Sequence, residues 1–271
     1  MSKIALLGVI SIAILGMTGC GQEITIGMHI EATATHQETI ALDAGAAVAL
    51  DVRNGVGAVT VRGAETDAID VEYTFTAYGA TEAEAERELA AMTVSFTHEA
   101  GRVEIDAVQP PRPQRSRANK VDLTITVPRT LDLVVRNGVG DVRANDLQTL
   151  DQLVIADDVG DITLRNVSAG SNTSIKGNVG NIRFEGTLAD AGSAEITTDV
   201  GKVIVRLPEN AGAELEASTE VGSIAMRGLM ASHRDLKKHI PGATLTATLG
   251  TGGPALTLNA NVGDITLEQQ Q

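Results

Sequence analysis

The hexamer VRNGVG occurs twice in this sequence, at Val52–Gly57 and at Val135–Gly140. Looser copies that keep the Val-Gly pair follow at Ile155–Gly160, Ile175–Gly180, Ile196–Gly201, Ala217–Gly222 and Leu258–Gly263. From Gly140 onward the glycines lie 20, 20, 21 and 21 residues apart, and the last gap is 41, about two repeats. A fixed period of this size is typical of solenoid proteins.

Each copy carries apolar residues at three fixed positions around the Val-Gly pair. These positions are four residues before the Val, two after the Gly and four after the Gly. Mostly polar residues separate them, and such period-two alternation on both sides of a turn indicates two short strands per coil. The sequence therefore predicts an all-β fold, a single-stranded β-helix-like solenoid of about 20-residue coils.

The backbone geometry of a turn explains why the Val-Gly pair and the residue before it recur in each repeat. The residue before the Val is Gly, Asp, Asn or Glu in every copy, and most of these tolerate left-handed backbone angles or bond their own backbone. The turn glycines are expected either to have positive φ or to lie where the adjacent coil leaves no room for a Cβ. The Val of the pair is expected to point into the core. The predicted turn glycines are Gly57, Gly140, Gly160, Gly180, Gly201, Gly222 and Gly263.

The N-terminus has the pattern of a secretion signal. Lys3 precedes an apolar run, Ile4–Leu15, and residues 1–19 are predicted to be a signal peptide. The segment Met17–Cys20 resembles the lipobox of bacterial lipoproteins, which implies a diacylglyceryl thioether on Cys20, an acylated new N-terminus and a membrane as partner. Gly21 follows in place of an aspartate that would retain the protein at the inner membrane. We therefore expect an exported protein, lipid-anchored to the cell envelope at the outer membrane.

The rest of the chain divides by composition. Residues 20–38 are expected to be a lipid-anchored tether, although 21–37 also fit an irregular first strand, and residues 39–271 are expected to be a β-solenoid domain. The repeat is interrupted over 64–130, where the patterns predict a strand at 69–78, a helix over 81–92 and a hairpin at 93–107. A second interruption, 229–240, is predicted to be a short helical insertion.

Charge limits the partners. The formal net charge of −14 argues against nucleic acid, because binding to phosphates needs a basic surface. One basic cluster occurs, in the Pro-rich loop 109–120, which is either a solvated loop or a docking tip for an anionic partner such as lipid phosphate or acidic glycan. Its four cations are Arg112, Arg115, Arg117 and Lys120.

Three chemical interpretations of the side chains are possible. A calcium ladder from the acidic turn residues lacks the nine-residue Gly-rich unit of calcium β-rolls, so turn chemistry accounts for these acids better. A polysaccharide-cleaving enzyme could use acids that recur in register, but aromatic platforms for sugar rings are missing. A histidine metal site has poor ligand spacing. The sequence predicts no catalytic residue, no cofactor and no metal. The acids are Asp157, Asp158, Asp161, Asp199 and Asp264 for calcium, and Asp141, Asp161 and Asp264 for the enzyme.

The segment Val121–Val142, VDLTITVPRTLDLVVRNGVGDV, with the strand–Val-Gly–strand units after it, resembles the adhesin-like "toastrack" family of bacterial envelope proteins of unknown function. The resemblance covers most of residues 40–268. It implies stacked coils and supplies no catalytic residues. We therefore predict a lipid-anchored, non-catalytic binding, adhesion or structural module of the envelope, with an envelope protein or glycan as partner. The alternatives are a carbohydrate-active enzyme on a β-helix, or an envelope sensor or regulatory lipoprotein whose partner docks on loop 109–120.

Overall fold

The computed structural model describes residues 30–42, 48–99, 101–109 and 117–270. Cys20 and the predicted signal peptide lie outside these residues. Within them, no helix has the length and hydropathy needed to span a membrane. The described strands form a ten-stranded sheet and an eleven-stranded sheet.

The elements are numbered along the chain. The single helix of the described residues is α1, Glu82–Ala90. The strands are β1 Ile30–Ala41, β2 Ala49–Val56, β3 Val59–Ala64, β4 Ala68–Gly79, β5 Thr93–Glu99, β6 Arg102–Val108, β7 Lys120–Pro128, β8 Asp132–Val139, β9 Val142–Gln148, β10 Gln152–Val159, β11 Ile162–Ser168, β12 Asn172–Val179, β13 Ile182–Thr187, β14 Ser193–Val200, β15 Val203–Leu207, β16 Ala213–Val221, β17 Ile224–Arg227, β18 Ala231–Lys238, β19 Ala243–Leu249, β20 Ala255–Val262 and β21 Ile265–Gln269.

The predicted solenoid is confirmed. Each Val-Gly copy joins a strand of the eleven-stranded sheet to a strand of the ten-stranded sheet, and neighbouring coils pair in parallel. The register keeps equivalent positions together: Ile155 lies opposite Val135 on one side and Ile175 on the other. The three apolar columns fill the space between the sheets and are buried, except for Met226 in the short edge strand β17, which is partly buried.

At both ends of the stack, the order of coils in space differs from their order along the chain. The coil β6–β7 stacks outside β2–β3, although it follows β2–β3 in sequence. The C-terminal coil β20–β21 inserts between β14–β15 and β16–β17. The extra antiparallel strands β18 and β19 occupy the long gap between Gly222 and Gly263.

The region 64–130 contains the predicted strand, helix and hairpin, which are β4, α1 and the pair β5–β6. Thr81 caps the helix, since its Oγ1 accepts a hydrogen bond from the Glu84 backbone N–H at 3.2 Å. The region is only partly an insertion, because β6 and β7 continue the stack as a coil. The remaining elements close the N-terminal end of the molecule.

The predicted helical character of 229–240 is wrong. Residues 231–238 form β18, an edge strand that pairs antiparallel with β19. The local sequence is rich in helix formers, but the open edge of β19 supplies backbone hydrogen-bond partners, and Leu236 packs on the core. Tertiary pairing therefore overrides the local propensity.

The predicted tether, 20–38, extends too far along the chain. Its residues 30–38 belong to β1, which pairs with β4 along its whole length. Only Ala32 of β1 is buried, so the apolar alternation that identifies a strand is missing. Polar pairs across the strands accompany the backbone ladder instead, such as Thr39 Oγ1 donating to Asp70 Oδ1 at 2.7 Å.

Candidate functional site

The corner of each coil is built around its turn glycine. All seven predicted glycines have φ between +129° and +159°. A Cβ added at any of them would overlap a backbone carbonyl oxygen of the adjacent coil. Positive φ and the lack of room for a Cβ therefore both require glycine at these seven positions. The Gly140 N–H donates to the Val159 carbonyl of the next coil at 2.8 Å, and five other corners repeat this bond. The exception is Gly222, whose N–H donates to the Pro241 carbonyl at 3.1 Å.

A buried polar column closes the corners from inside. It lies three residues before the turn glycine, where Asn54, Asn137, Asp157, Thr198 and Thr219 are each at most 5 % exposed. Asn137 Nδ2 donates to the Gly140 carbonyl at 2.7 Å, and Thr219 Oγ1 donates to the Gly263 carbonyl at 2.8 Å. The Asn and Thr members of the column thus satisfy carbonyl oxygens that the bend turns away from the sheet. Two coils have Gly177 or Ala260 at this position instead.

Asp157 is the one acid in this column. Its Oδ1 accepts from Asn137 Nδ2 at 2.9 Å, while its Oδ2 is buried without a hydrogen-bond partner among the described residues. Burial raises the pKa of Asp157 to about 6, and the charges of Asp158, Asp141 and Asp161 act in the same direction. The hydrogen bond from Asn137 opposes this shift.

The expected inward position of the Val in each Val-Gly pair is wrong. Six of the seven are 45–49 % exposed and the seventh, Val56, is partly exposed. The buried polar residue occupies the last inward place before the corner, so the Val lies beyond the end of the core. In space the order is Val56, Val139, Val159, Val179, Val200, Val262 and Val221, with each opposite the next. We call this in-register row the valine edge.

Acidic and amide side chains border the valine edge and bond from coil to coil. Asp161 Oδ1 accepts from the Asn181 backbone N–H at 2.8 Å, and Asn178 Nδ2 donates to Asp158 Oδ1 at 3.0 Å. Asp264 accepts from both the hydroxyl and the N–H of Ser223, which lowers its pKa. The acids weighed as calcium or catalytic groups thus include several that bond neighbouring coils.

The two VRNGVG copies lie side by side and form a shallow groove of about 390 Å³ on the outer face of the eleven-stranded sheet. We call it the arginine groove. Its floor contains two residues without side chains, and Arg and Asp side chains surround it. Its lining residues include Arg53, Gly55, Asp106, Arg136, Gly138, Ala156 and Asp158.

A buried carboxylate holds the arginines in place. Asp51 is 5 % exposed, and Arg136 Nη1 donates to its Oδ1 at 3.0 Å and to its Oδ2 at 3.1 Å. Arg53 Nε lies 3.7 Å from Asp51 Oδ1, and Arg102 Nη1 lies 3.8 Å from Oδ2. Three guanidinium groups therefore converge on one carboxylate.

Two of the four predicted docking cations lie within the described residues, and both have intramolecular contacts. The Arg117 guanidinium lies 4.0 Å from the centre of the Tyr78 ring. Lys120 Nζ donates to Asp122 Oδ2 at 2.7 Å, and this hydrogen bond raises the pKa of Lys120. Arg112 and Arg115 lie outside the described residues. A docking role for the loop stays a prediction.

Sequence reasoning missed both the arginine groove and the exposure of the valine edge. A signal for the groove existed in the repeat itself. VRNGVG differs from all later copies at its Arg and at its first Gly, and those two residues line the groove. Nothing in the repeat pattern distinguishes a Val at the end of the core from a Val inside it, because both follow the same alternation.

Several proteins of known structure resemble this fold. A candidate cell adhesion protein from Clostridium sporogenes is 18 % identical, with a TM-score of 0.52, and the match covers 87 % of this chain and all of the other. A candidate adhesin from Bacteroides fragilis is 13 % identical over 87 % of this chain and 97 % of its own, with a TM-score of 0.36. No curated protein matches the sequence significantly. The sequence pattern of the Toastrack DUF4097 family matches residues 48–191, more than half of the chain. The chain belongs to the Toastrack DUF4097 family.

Proposed function

We propose that this protein is a non-catalytic binding and adhesion module of the cell envelope, held at the outer membrane by acyl groups on Cys20. The position of Cys20 directly after the apolar run Ile4–Leu15 supports the anchor. The structural neighbour from Clostridium sporogenes, a candidate cell adhesion protein, supports the adhesion role. The valine edge is the observation that carries the binding role.

The valine edge is a continuous row of exposed apolar side chains. Its six most exposed members are 45–49 % accessible, and the parallel register places them about 4.8 Å apart. Single exposed apolar residues are ordinary, but a contiguous exposed row indicates an interaction surface. The corner glycines and the buried polar column hold the row rigidly, so a partner would bind without ordering it first.

The acidic residues beside the valine edge indicate the charge of the partner's surface. Acids flank the valine edge on both sides, and Asp158 and Asp199 precede their valines while Asp161 and Asp264 follow theirs by two residues. A second copy of this edge would bring like charges together. The partner is therefore an envelope protein with an apolar strip bordered by Lys or Arg.

A surface-binding measurement tests this role. The full chain with Cys20→Ser, which cannot insert through acyl groups, would be passed over immobilised envelope vesicles from cells that lack the protein. We expect Val159→Asn combined with Val179→Asn to weaken binding about tenfold or more, because two central contacts are lost. Leu150→Asn is the matched control, since Leu150 is 54 % exposed at another place on the surface. Unchanged binding in the double variant would show that the valine edge is not the interaction surface.

The anchor has a separate test. Cys20→Ser removes the only thiol of the chain, so acyl labelling should be lost and the protein should leave the membrane fraction. Retention of the Cys20→Ser protein in that fraction after a high-salt wash would contradict lipid anchoring.

A further inference from the structure

The hairpin of β18 and β19 ends in an exposed apolar residue. Ile240 is fully accessible to solvent, and no other large apolar side chain in the described part of the chain is more exposed. The turn that carries it is tied to a coil corner, because the Pro241 carbonyl accepts from the Gly222 N–H at 3.1 Å. We call residues 237–242 the hairpin tip. A single exposed apolar residue is ordinary, so the position of the tip decides what it means.

The hairpin tip lies on the valine-edge side of the molecule. Strand β19 runs antiparallel to β16 and begins at Ala243, which lies opposite Thr219. Thr219 is two residues before Val221, the last member of the valine edge in space. The tip that precedes Ala243 therefore lies beside Val221, and Ile240 extends the apolar row at that end.

Strand β1 also begins on the valine-edge side, at the other end of the stack. Val59 follows the first corner and lies opposite Leu123 of β7. Leu123 lies opposite Tyr73 of β4, which in turn lies opposite His36 of β1. Ile30 is six residues before His36, so β1 begins about 20 Å beyond the level of Val59. The chain that precedes β1 thus meets the domain on this side.

The segment between the proposed anchor and β1 is short. Ile30 is ten residues after Cys20, and ten residues of backbone span at most about 36 Å. The opposite edge of the molecule is level with Ala41, eleven residues along β1 and about 36 Å from Ile30. That edge could face the bilayer only if the segment were fully stretched back along β1. The valine-edge side therefore faces a membrane that holds Cys20.

The charges of the hairpin tip permit contact with phospholipid. Lys237 and Lys238 are both exposed. Lys237 Nζ lies 3.2 Å from Asp235 Oδ2, whereas Lys238 forms no ion pair with any described residue. The backbone of Glu220 lies beside the turn, so the net positive charge here is small. An apolar side chain next to a lysine can enter the headgroup boundary while the ammonium group stays at the phosphates.

We propose that Ile240 inserts into the surface of the membrane that holds Cys20, with Lys238 at the lipid phosphates. This inference rests on the proposed anchor and adds a second, weaker contact at the opposite end of the stack. One side chain cannot hold the protein alone, because even a myristoyl chain binds only marginally. The contact instead orients the stack along the membrane. The acids beside the valine edge resist burial in lipid, so that edge stays open to its protein partner.

Tryptophan fluorescence tests the insertion, because the chain contains no tryptophan. His239→Trp places a probe next to Ile240. Met230→Trp is the matched control, since Met230 is also exposed but lies at the other end of β18, where its carbonyl accepts from the Gly250 N–H. Protein purified from cell envelopes is reconstituted into vesicles of phosphatidylethanolamine with phosphatidylglycerol as the minor component. We expect the His239→Trp emission to shift to shorter wavelength and to be quenched by brominated lipid, and the Met230→Trp emission to stay unchanged.

Two further substitutions show whether the native side chains drive the insertion. Adding Ile240→Asn to the His239→Trp protein should abolish the shift and the quenching, and adding Lys238→Gln should reduce the quenching. Both sites are exposed, so the melting temperature should stay near that of the parent. An emission shift without vesicles, equal quenching at the two probe positions, or quenching that survives Ile240→Asn would each overturn the proposal.

The same experiment separates the insertion from the anchor. If the purified protein carries no acyl groups, its single thiol, Cys20, is free for coupling to a maleimide-bearing lipid in the vesicles. Ile240 is then tested beside a membrane whether or not cells acylate the protein. Absence of quenching in the coupled protein would refute insertion, whereas quenching only after coupling would refute acylation alone. Because the vesicles contain only lipid, neither result affects protein binding at the valine edge.

Discussion

Two positions near the corner have separate tasks. The turn glycine allows the bend and the close approach of the next coil. At four corners an Asn or Thr three positions earlier donates to a carbonyl oxygen that a bend exposes. The acids near the corner mainly bond adjacent coils. This division means that substitutions within a few positions of one another should have very different effects.

Gly180→Ala should destabilise the protein by about 3 kcal/mol or more. Its φ is +147°, and the new Cβ would overlap the Gly160 carbonyl oxygen, so backbone strain adds to a clash. Gly177→Ala is the control in the same strand, because its Cβ would meet Ile182 Cδ1 at an ordinary 3.6 Å. Chemical denaturation measures both variants. Equal effects at the two glycines would refute the account of the corner.

Asp157→Asn should stabilise the protein above pH 6. The folded-state pKa of about 6 exceeds the ordinary value of 3.8, so the folded protein binds the proton more tightly than the unfolded chain does. Stability from this group is greatest below about pH 4 and falls as pH rises through 6, by about 3 kcal/mol at most. The amide introduced by Asp157→Asn is placed to donate to the Gly160 carbonyl, as Asn137 does to the Gly140 carbonyl.

The measurement for Asp157 is unfolding free energy between pH 4 and pH 8. The variant should lose most of the decline that the parent shows between pH 4 and pH 6. Asp158→Asn makes the same change of charge at the exposed neighbouring residue and should keep that decline. A parent protein whose stability is flat over this interval would show that Asp157 does not titrate as described.

Sequence reasoning predicted a helix or strand correctly where the local sequence pattern and the tertiary contacts favour the same secondary structure. The coil strands, helix α1 and the β5–β6 hairpin have such signals and formed as expected. Two elements were misjudged because their partners are distant in sequence. Strand β1 lacks an apolar face and depends on β4, and β18 has helix-forming residues but lies against the edge of β19. Neither the β1–β4 pairing nor the β18–β19 pairing produces an alternation of apolar and polar residues in β1 or β18.

Helix α1 offers a prediction for a single element. Thr81→Ala removes the hydrogen bond from the Glu84 N–H to the Thr81 hydroxyl and should cost about 1 kcal/mol, since that donor then keeps only the Thr81 carbonyl at 3.2 Å. Thr81→Ser keeps the hydroxyl and should restore most of this stability. Hydrogen exchange of the α1 amides would detect the change locally. Identical exchange in the Ala and Ser variants would show that the cap contributes little.

For the whole molecule, repeat spacing predicted the architecture but not the order of the coils. The apolar columns determine that coils stack, and every coil presents similar columns, so they do not determine which coils are neighbours. The placement of β20–β21 inside the stack therefore had no sequence signal beyond the gap of 41 residues. The arginine groove likewise depends on two hexamers that are 83 residues apart in sequence becoming neighbours in space.

The continuity of the valine edge depends on this order, because Val262 joins Val200 to Val221 only if β20 lies between β14 and β16. Cysteine cross-linking in a Cys20→Ser background tests it most directly. Thr197 and Ser218 both lie opposite Asn259, so we predict disulfides for Thr197→Cys with Asn259→Cys and for Asn259→Cys with Ser218→Cys. Thr197→Cys with Ser218→Cys should not cross-link, because a strand separates the two residues. Efficient cross-linking of that last pair, with none through residue 259, would contradict the coil order and the continuous valine edge.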